Sequence, residues 1–179
     1  MAAAFEPENE LEHQLADDPV IQRGLGWGEP RSGHPEGSVE AHVAELLQRI
    51  EEWGESEPRR SELRFLAIVH DALKYRVRSW LPKVGENHHA MRARRLAERY
   101  TSDERLLAAL ELHDRPYAIW RRTRRGSARE RRALDELVRR IADFPLFMRF
   151  VELDGSTEGK NPAPIDWLRD ELRSRGLLS

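Results

Sequence analysis

The stretch LRFLAIVHDALK, residues 63–74, decides how the rest of the chain is read. Leu63, Phe65, Leu66, Ile68 and Leu73 make it apolar enough for a buried helix. A buried helix should not carry an adjacent imidazole and carboxylate, yet His70 and Asp71 stand inside this one. An unpaired charge in an apolar interior costs far more than the methylene it displaces, so the doublet needs a partner. A divalent metal accepts both groups at once.

The residues on either side give the fold class. Upstream, Val39, Val43, Leu46, Leu47 and Ile50 form the apolar stripe of a helix beginning at Ser38, and Pro58 stands near the start of the helix carrying the doublet. Downstream, a third helix runs over about 89–100. Thr101-Ser-Asp-Glu104 reads as a capping box opening a fourth helix, which Pro116 ends. A second capping box, Ser127-Ala-Arg-Glu130, opens a fifth through about Ala142, and Pro145 leads into a sixth through about Asp154. The loop GSTEGKNPAP (155–164) precedes a last amphipathic helix from Ile165 to about Leu172. Neither an alternating strand pattern nor a repeat is present, so the fold class is all-α, a helical bundle. Residues 1–33 begin acidic (AFEPENELEHQLADDP) and end loop-like (GLGWGEPRSG). They are expected to be a loosely ordered N-terminal extension, with His13 on its surface, before a helical domain at 34–179.

Composition bounds the function. At 179 residues the chain is long enough for one domain with a real core. It has no cysteine, which excludes disulfides, zinc–thiolate sites and thiol catalysis. The net charge of −2 announces neither nucleic acid nor membrane. No apolar stretch approaches the roughly 20 residues of a membrane span and none resembles a signal peptide, so no membrane partner and a cytoplasmic location are expected.

Helical phase sharpens the chemistry. Residues three, four and seven apart share a helix face. His70 shares the face of Leu63, Leu66 and Leu73, and His113 follows Leu106 and Leu110. Asp154 follows Phe147, Phe150 and Val151, and His42 sits between Val39 and Leu46. His89 leads Ala93, Leu96 and Tyr100, whereas His88 leads Arg92, Arg95 and Arg99 on a solvated face. Taken singly, an inward histidine is more often a satisfied core residue than a ligand. Six such groups on five helices instead point to a shared polar focus, as in other helical metal sites.

The ordered series His42, His70-Asp71 within HDALK, His89, His113 and Asp154 resembles the HD-domain superfamily of metal-dependent phosphohydrolases over about 34–160. HPEGSVEAHV (34–43) also resembles the opening of the HD domain in bacterial tRNA nucleotidyltransferases. Leu73 departs from the pattern, since many members have glycine before the lysine. The resemblance implies an HD-domain-like bundle with a central metal site. His42, His70, Asp71 and Asp154 would hold one ion, and His89 and His113 a second, with Asp71 bridging. The donor types suit a divalent transition metal (Mn, Fe, Zn, Co or Ni), as one or two ions per chain. The implied chemistry is attack by a metal-bound hydroxide on a phosphate ester, with Asp71 and Lys74 as catalytic residues.

Substrate contacts are expected from Lys74, Arg115, Tyr117 and Lys160. RPYAIWRRTRRGSARERR (115–132) holds eight arginines with Tyr117 and Trp120 interleaved, which suits phosphate binding and base stacking as well as a solvated helix face. The loop after Asp154 offers glycine amides, Ser156, Thr157 and Lys160 to an anion. Asp114 is placed either to orient a ligand or to pair with Arg115, and His34 to line the pocket rim. The expected partner is a phosphate-ester small molecule or a nucleic-acid end, with the oligomeric state open. Three rival functions share these residues: an HD-type di-iron oxygenase, a non-catalytic nucleotide- or RNA-binding module, and a purely structural bundle.

Overall fold

The computed structural model describes residues 5–30, 37–123, 128–157 and 159–178, and these contain ten α-helices, two short 3₁₀ turns and no strand. The helices are α1 (Glu10–Asp17), α2 (Pro19–Leu25), α3 (Val39–Glu52), α4 (Arg59–Val69), α5 (His89–Ala97), α6 (Glu104–Leu112), α7 (Arg115–Thr123), α8 (Ala128–Arg140), α9 (Phe144–Gly155) and α10 (Ala163–Ser174). The all-α expectation holds. No helix among the described residues is long and apolar enough to cross a membrane.

Helix α4 is the hub. Every residue from Leu63 to Val69 is buried, and α3, α5, α6 and α9 pack around it. Phe65, Leu66, Ile68, Leu110, Phe147 and Phe150 are among the largest fully buried side chains, so the centre of the bundle lies where these helices meet. Local chemistry sets most helix starts: Ser38 Oγ accepts from the Ala41 amide at 3.1 Å, and Asp143 Oδ1 from that of Leu146 at 2.8 Å. Each such cap stabilises its helix by about 1 kcal/mol.

The N-terminal segment and the fourth helix differ from the sequence expectation. The described part of the N-terminal segment is not loose: α1 and α2 bury Leu15, Ile21 and Leu25 against the rest of the molecule. Its acidic character is what anchors it. Glu12, itself buried, takes Arg64 Nε at 2.8 Å and Nη2 at 2.7 Å in a buried two-pronged pair between residues 52 positions apart. Glu8 adds Arg60.

The fourth helix begins at Glu104, but its cap is Asp103, which accepts from the Arg105 amide at 2.9 Å, while Thr101 Oγ1 takes the amide of Asp103 instead. That helix ends at Leu112, and Pro116 does not stop it. The proline is the second residue of α7, where its fixed φ and missing N–H favour a helix start. The fifth helix, α8, begins at Ala128, and Ser127 lies outside the described residues, as does His34.

Candidate metal centre

The doublet does not continue its helix. Helix α4 ends at Val69, His70 is its C-cap, and residues 70–73 form a turn before the 3₁₀ turn Lys74–Arg76. His113 caps α6 in the same way, and His89 is the first residue of α5. His42 and Asp154 lie within α3 and α9. The ends of α4 and α6 leave backbone carbonyls free, which both cap histidines use. His70 Nδ1 lies 2.9 Å from the Ala67 carbonyl and His113 Nδ1 lies 2.8 Å from that of Leu110. A carbonyl only accepts, so each Nδ1 carries the proton and each neutral ring keeps its Nε2 lone pair for a cation. His88 has the opposite arrangement. Its Nδ1 accepts from the Ala90 amide at 3.2 Å, which leaves the proton on Nε2 and makes it a donor. Donor atoms of His88, His89 and Asp114 fall within 4.8 Å of one another.

Leu73, which stands where many HD proteins have glycine, adopts φ −111° with its side chain buried, so this turn does not require glycine. Position 24 is different. A Cβ on Gly24 of α2 would collide with the Ala72 carbonyl, so the second N-terminal helix rests directly on the turn that presents the doublet.

The structure brings all six predicted ligands together. His42 Nε2 is 3.0 Å from Asp154 Oδ1, and His70 Nε2 is 3.3 Å from Asp71 Oδ2 and 3.6 Å from Asp154 Oδ1. The other oxygen of Asp71, Oδ1, lies 3.4 Å from His89 Nε2. The four imidazoles run in a row, His42 to His70 to His113 to His89, with successive ring centroids 5.4, 5.3 and 5.3 Å apart. Phe150 closes the inner side, its ring 5.7 Å from His70 and 6.0 Å from His113. Donor atoms of His42, His70 and Asp71 fall within 4.8 Å of one another, as do those of Asp71, His89 and His113. Two triads therefore share Asp71.

A divalent ion fits this set. An ion about 2.1 Å from each nitrogen or oxygen donor holds neighbouring donors about 3.0–3.5 Å apart, close to the 3.0–3.6 Å between the imidazole nitrogens and the oxygens of Asp71 and Asp154. Among the described residues, His70 Nε2 and Asp71 Oδ1 are buried without a hydrogen-bond partner of good geometry. Such atoms are costly to bury unless something charged meets them.

Cations of the chain itself sit on the carboxylates. Lys74 Nζ hydrogen-bonds Asp71 Oδ2. Lys160 Nζ donates to Asp154 Oδ1 at 2.6 Å and to its backbone carbonyl at 2.7 Å. Burial works against a charged His70, but Asp71 and Asp154 outweigh it and push the imidazole up to about 10. Burial would raise Asp71, but His70 and Lys74 hold its carboxyl far below the usual carboxylate range. Asp154 is likewise held down, by Lys160, His42 and His70 acting against burial. His42 and His113 are pushed down, in each case chiefly by burial.

The remaining expected residues separate. Arg115 and Tyr117 are exposed on α7, where Tyr117 stacks on Trp120 with ring centroids 6.3 Å apart and the Arg121 guanidinium lies 5.6 Å from the Tyr117 ring centre. Asp114 turns to the imidazoles: its Oδ2 is 3.0 Å from His89 Nε2 and its Oδ1 is 3.6 Å from His113 Nε2. Its position directly after His113 was the only signal of this role.

The HD domain family model matches residues 39–144, more than half of the chain. The chain belongs to the HD domain family, which places it in a superfamily of metal-dependent phosphohydrolases. The matched span contains His42, the doublet, His89 and His113, and Asp154 lies beyond its end. Comparison with curated proteins and with solved structures returned no match.

Proposed function

We propose that the chain is a metal-dependent phosphomonoesterase or phosphodiesterase acting on the phosphate ester of a nucleotide or a nucleic-acid end. His42, His70, Asp71 and Asp154 would hold one divalent transition ion, and His89, His113 and the shared Asp71 a second. The observation that carries this reading is the pair of donor triads joined at Asp71, with the Lys74 ammonium on Asp71 itself and that of Lys160 on the neighbouring Asp154.

Charge decides what the site can take. Asp71, Asp114 and Asp154, all held ionised, outnumber Lys74 and Lys160 by one charge. A charged His70 imidazole brings the sum to zero, whereas one divalent ion held by neutral imidazoles makes it positive and favours a phosphate dianion. When bound, such an ion supplies a water acidified to about pKa 7 and a positive charge facing the phosphoryl oxygens. The chain's own groups do the rest. Lys74 and Lys160 hold ammonium groups beside the reacting phosphate and bind its oxygens. The Ala67 and Leu110 carbonyls fix His70 and His113 by their Nδ1 protons. Asp114, held well below the usual carboxylate range, steadies His89 and serves as an acceptor. Phe150 keeps water from the inner side of the imidazole row.

The test is turnover. Protein loaded separately with Mn, Fe, Co, Ni or Zn is assayed on phosphomonoesters and phosphodiesters, nucleotides included. Release of phosphate or of the cleaved ester is expected with at least one metal. O₂ consumption without phosphate release, or binding without turnover under every metal, would overturn the hydrolase assignment.

A further inference from the structure

Among the described residues five large apolar side chains are exposed: Trp27, Trp80, Leu81, Val84 and Tyr117. Three of them fall within five positions of one loop, residues 77–88. That loop joins Lys74, which holds Asp71, to His88 and His89 at the other edge of the cluster. Trp80 is 78% exposed and Val84 69%, so folding gains little from either.

The loop is nevertheless built. The Asn87 side chain takes the Arg78 amide at 2.9 Å and gives Nδ2 to the carbonyls of Arg78 at 3.0 Å, Pro82 at 3.1 Å and Leu81 at 3.3 Å. One side chain thus fixes the turn that displays Trp80 and Leu81, one residue before His88. Exposed cations accompany them at Arg76, Arg78 and Lys83. The loop's acidic residue, Glu86, lies 3.8 Å from Arg95. Across the cluster, α7 begins directly after Asp114 and presents Arg115 and the stacked Tyr117. His88 Nε2, at the end of the loop, lies 4.0 Å from Asp114 Oδ2, directly before α7, so the two segments meet at one edge of the cluster.

An aromatic face among exposed cations beside a phosphate-cleaving centre matches one ligand chemistry, a base adjoining a phosphate. We propose that loop 77–88 holds a single-stranded nucleic-acid end, stacking a base on Trp80 and binding backbone phosphates through Arg78 and Lys83, with the terminal phosphate ester in the metal centre. Three apolar side chains and three cations exceed what one mononucleotide covers. A bilayer, by contrast, calls for a broader apolar face than this pinned loop offers. The inference rests on the hydrolase reading for the fate of the bound end, but binding itself is measured without turnover.

The experiment uses the full metal-loaded chain and fluorescence polarisation of a labelled ten-nucleotide single strand. Trp80→Ala is expected to weaken binding about 5- to 100-fold, the loss typical of one stacked base, with Trp80→Phe recovering most of it. Metal content and hydrolysis of glycerol phosphate, which has no base, should not change. Arg78→Ala with Lys83→Ala should weaken binding and flatten its salt dependence. Equal affinity of Trp80→Ala and wild type overturns the proposal. So does equal affinity for a mononucleotide and the strand, or Trp80-dependent sedimentation with phosphatidylserine vesicles in place of strand binding. Trp80-dependent strand binding without hydrolysis would uphold the loop and refute the hydrolase. Glycerol phosphate turnover with no strand binding would do the reverse.

Discussion

At His70 and His113 the ring Nδ1 protons are spent on carbonyls three residues back, 2.9 and 2.8 Å away, and both Nε2 atoms turn inward. The same bond ends a helix and sets a tautomer, so local structure and ligand chemistry have one cause. His89→Ala or His113→Ala should therefore remove the second ion and spare the first, read as metal stoichiometry. Full stoichiometry in both variants would exclude the second triad. Lys74 carries a separable role. Lys74→Met should keep bound metal while kcat/KM falls about 10²- to 10³-fold, the cost of losing one charged contact to the reacting phosphate. An unchanged kcat/KM would leave Lys74 as a structural partner of Asp71 alone.

At the scale of elements, α2 is the support that periodicity did not reveal. Gly24 faces the Ala72 carbonyl, and the Arg23 guanidinium lies 5.2 Å from the centre of the Tyr75 ring. Gly24→Val should force α2 away from the doublet turn, cost about 1–3 kcal/mol in urea melts and loosen metal retention. Retention at the wild-type level would show that the turn stands without α2. The far end of α2 is tied to the segment after α5 by Tyr100, whose hydroxyl donates to Asp18. Burial and then Asp18 push the Tyr100 hydroxyl up to about 12. A group with a raised folded pKa contributes fully below its unfolded value, here near 10, and loses that contribution as pH rises toward 12. Tyr100→Phe should cost about 1–2 kcal/mol at pH 7 by urea denaturation. Its deficit relative to wild type should shrink by pH 11, and a constant deficit would refute the pairing. Pro116 belongs to this scale too. Proline at the end of one helix and proline at the start of the next look alike in sequence, and only the break at His113 decides between them.

Across the whole molecule, the helices with apolar stripes were legible because burial alone makes them. Val39 to Ile50 and Leu63 to Leu73 needed no distant partner to be read. Helices α1 and α2 were not legible, because Glu12 gains its meaning from Arg64, 52 positions away. The inward positions of His42, His70, His89, His113 and Asp154 were legible in helical phase, since phase survives when a helix stops at the residue itself, as at His70 and His113. The ammonium of Lys160 on Asp154 was not, because a loop's path has no period. Nor did Asn87 stand out, since its four bonds all run to the backbone of its own loop. Deleting residues 1–26 would remove the Glu12–Arg64 pair and uncover the core face of Leu15, Ile21 and Leu25. The truncated chain should unfold several degrees earlier in a thermal melt, whereas an unchanged midpoint would restore the picture of a loose extension.

In the proposed centre, side chains from five separate elements grip a divalent cation. Elemental analysis of purified wild type, His70→Ala and Asp71→Ala, each re-metallated and then dialysed, addresses it most directly. Wild type should retain one or two transition-metal ions per chain and both variants close to none. Variants that keep the wild-type content, or a wild type that takes up no metal, would contradict the account.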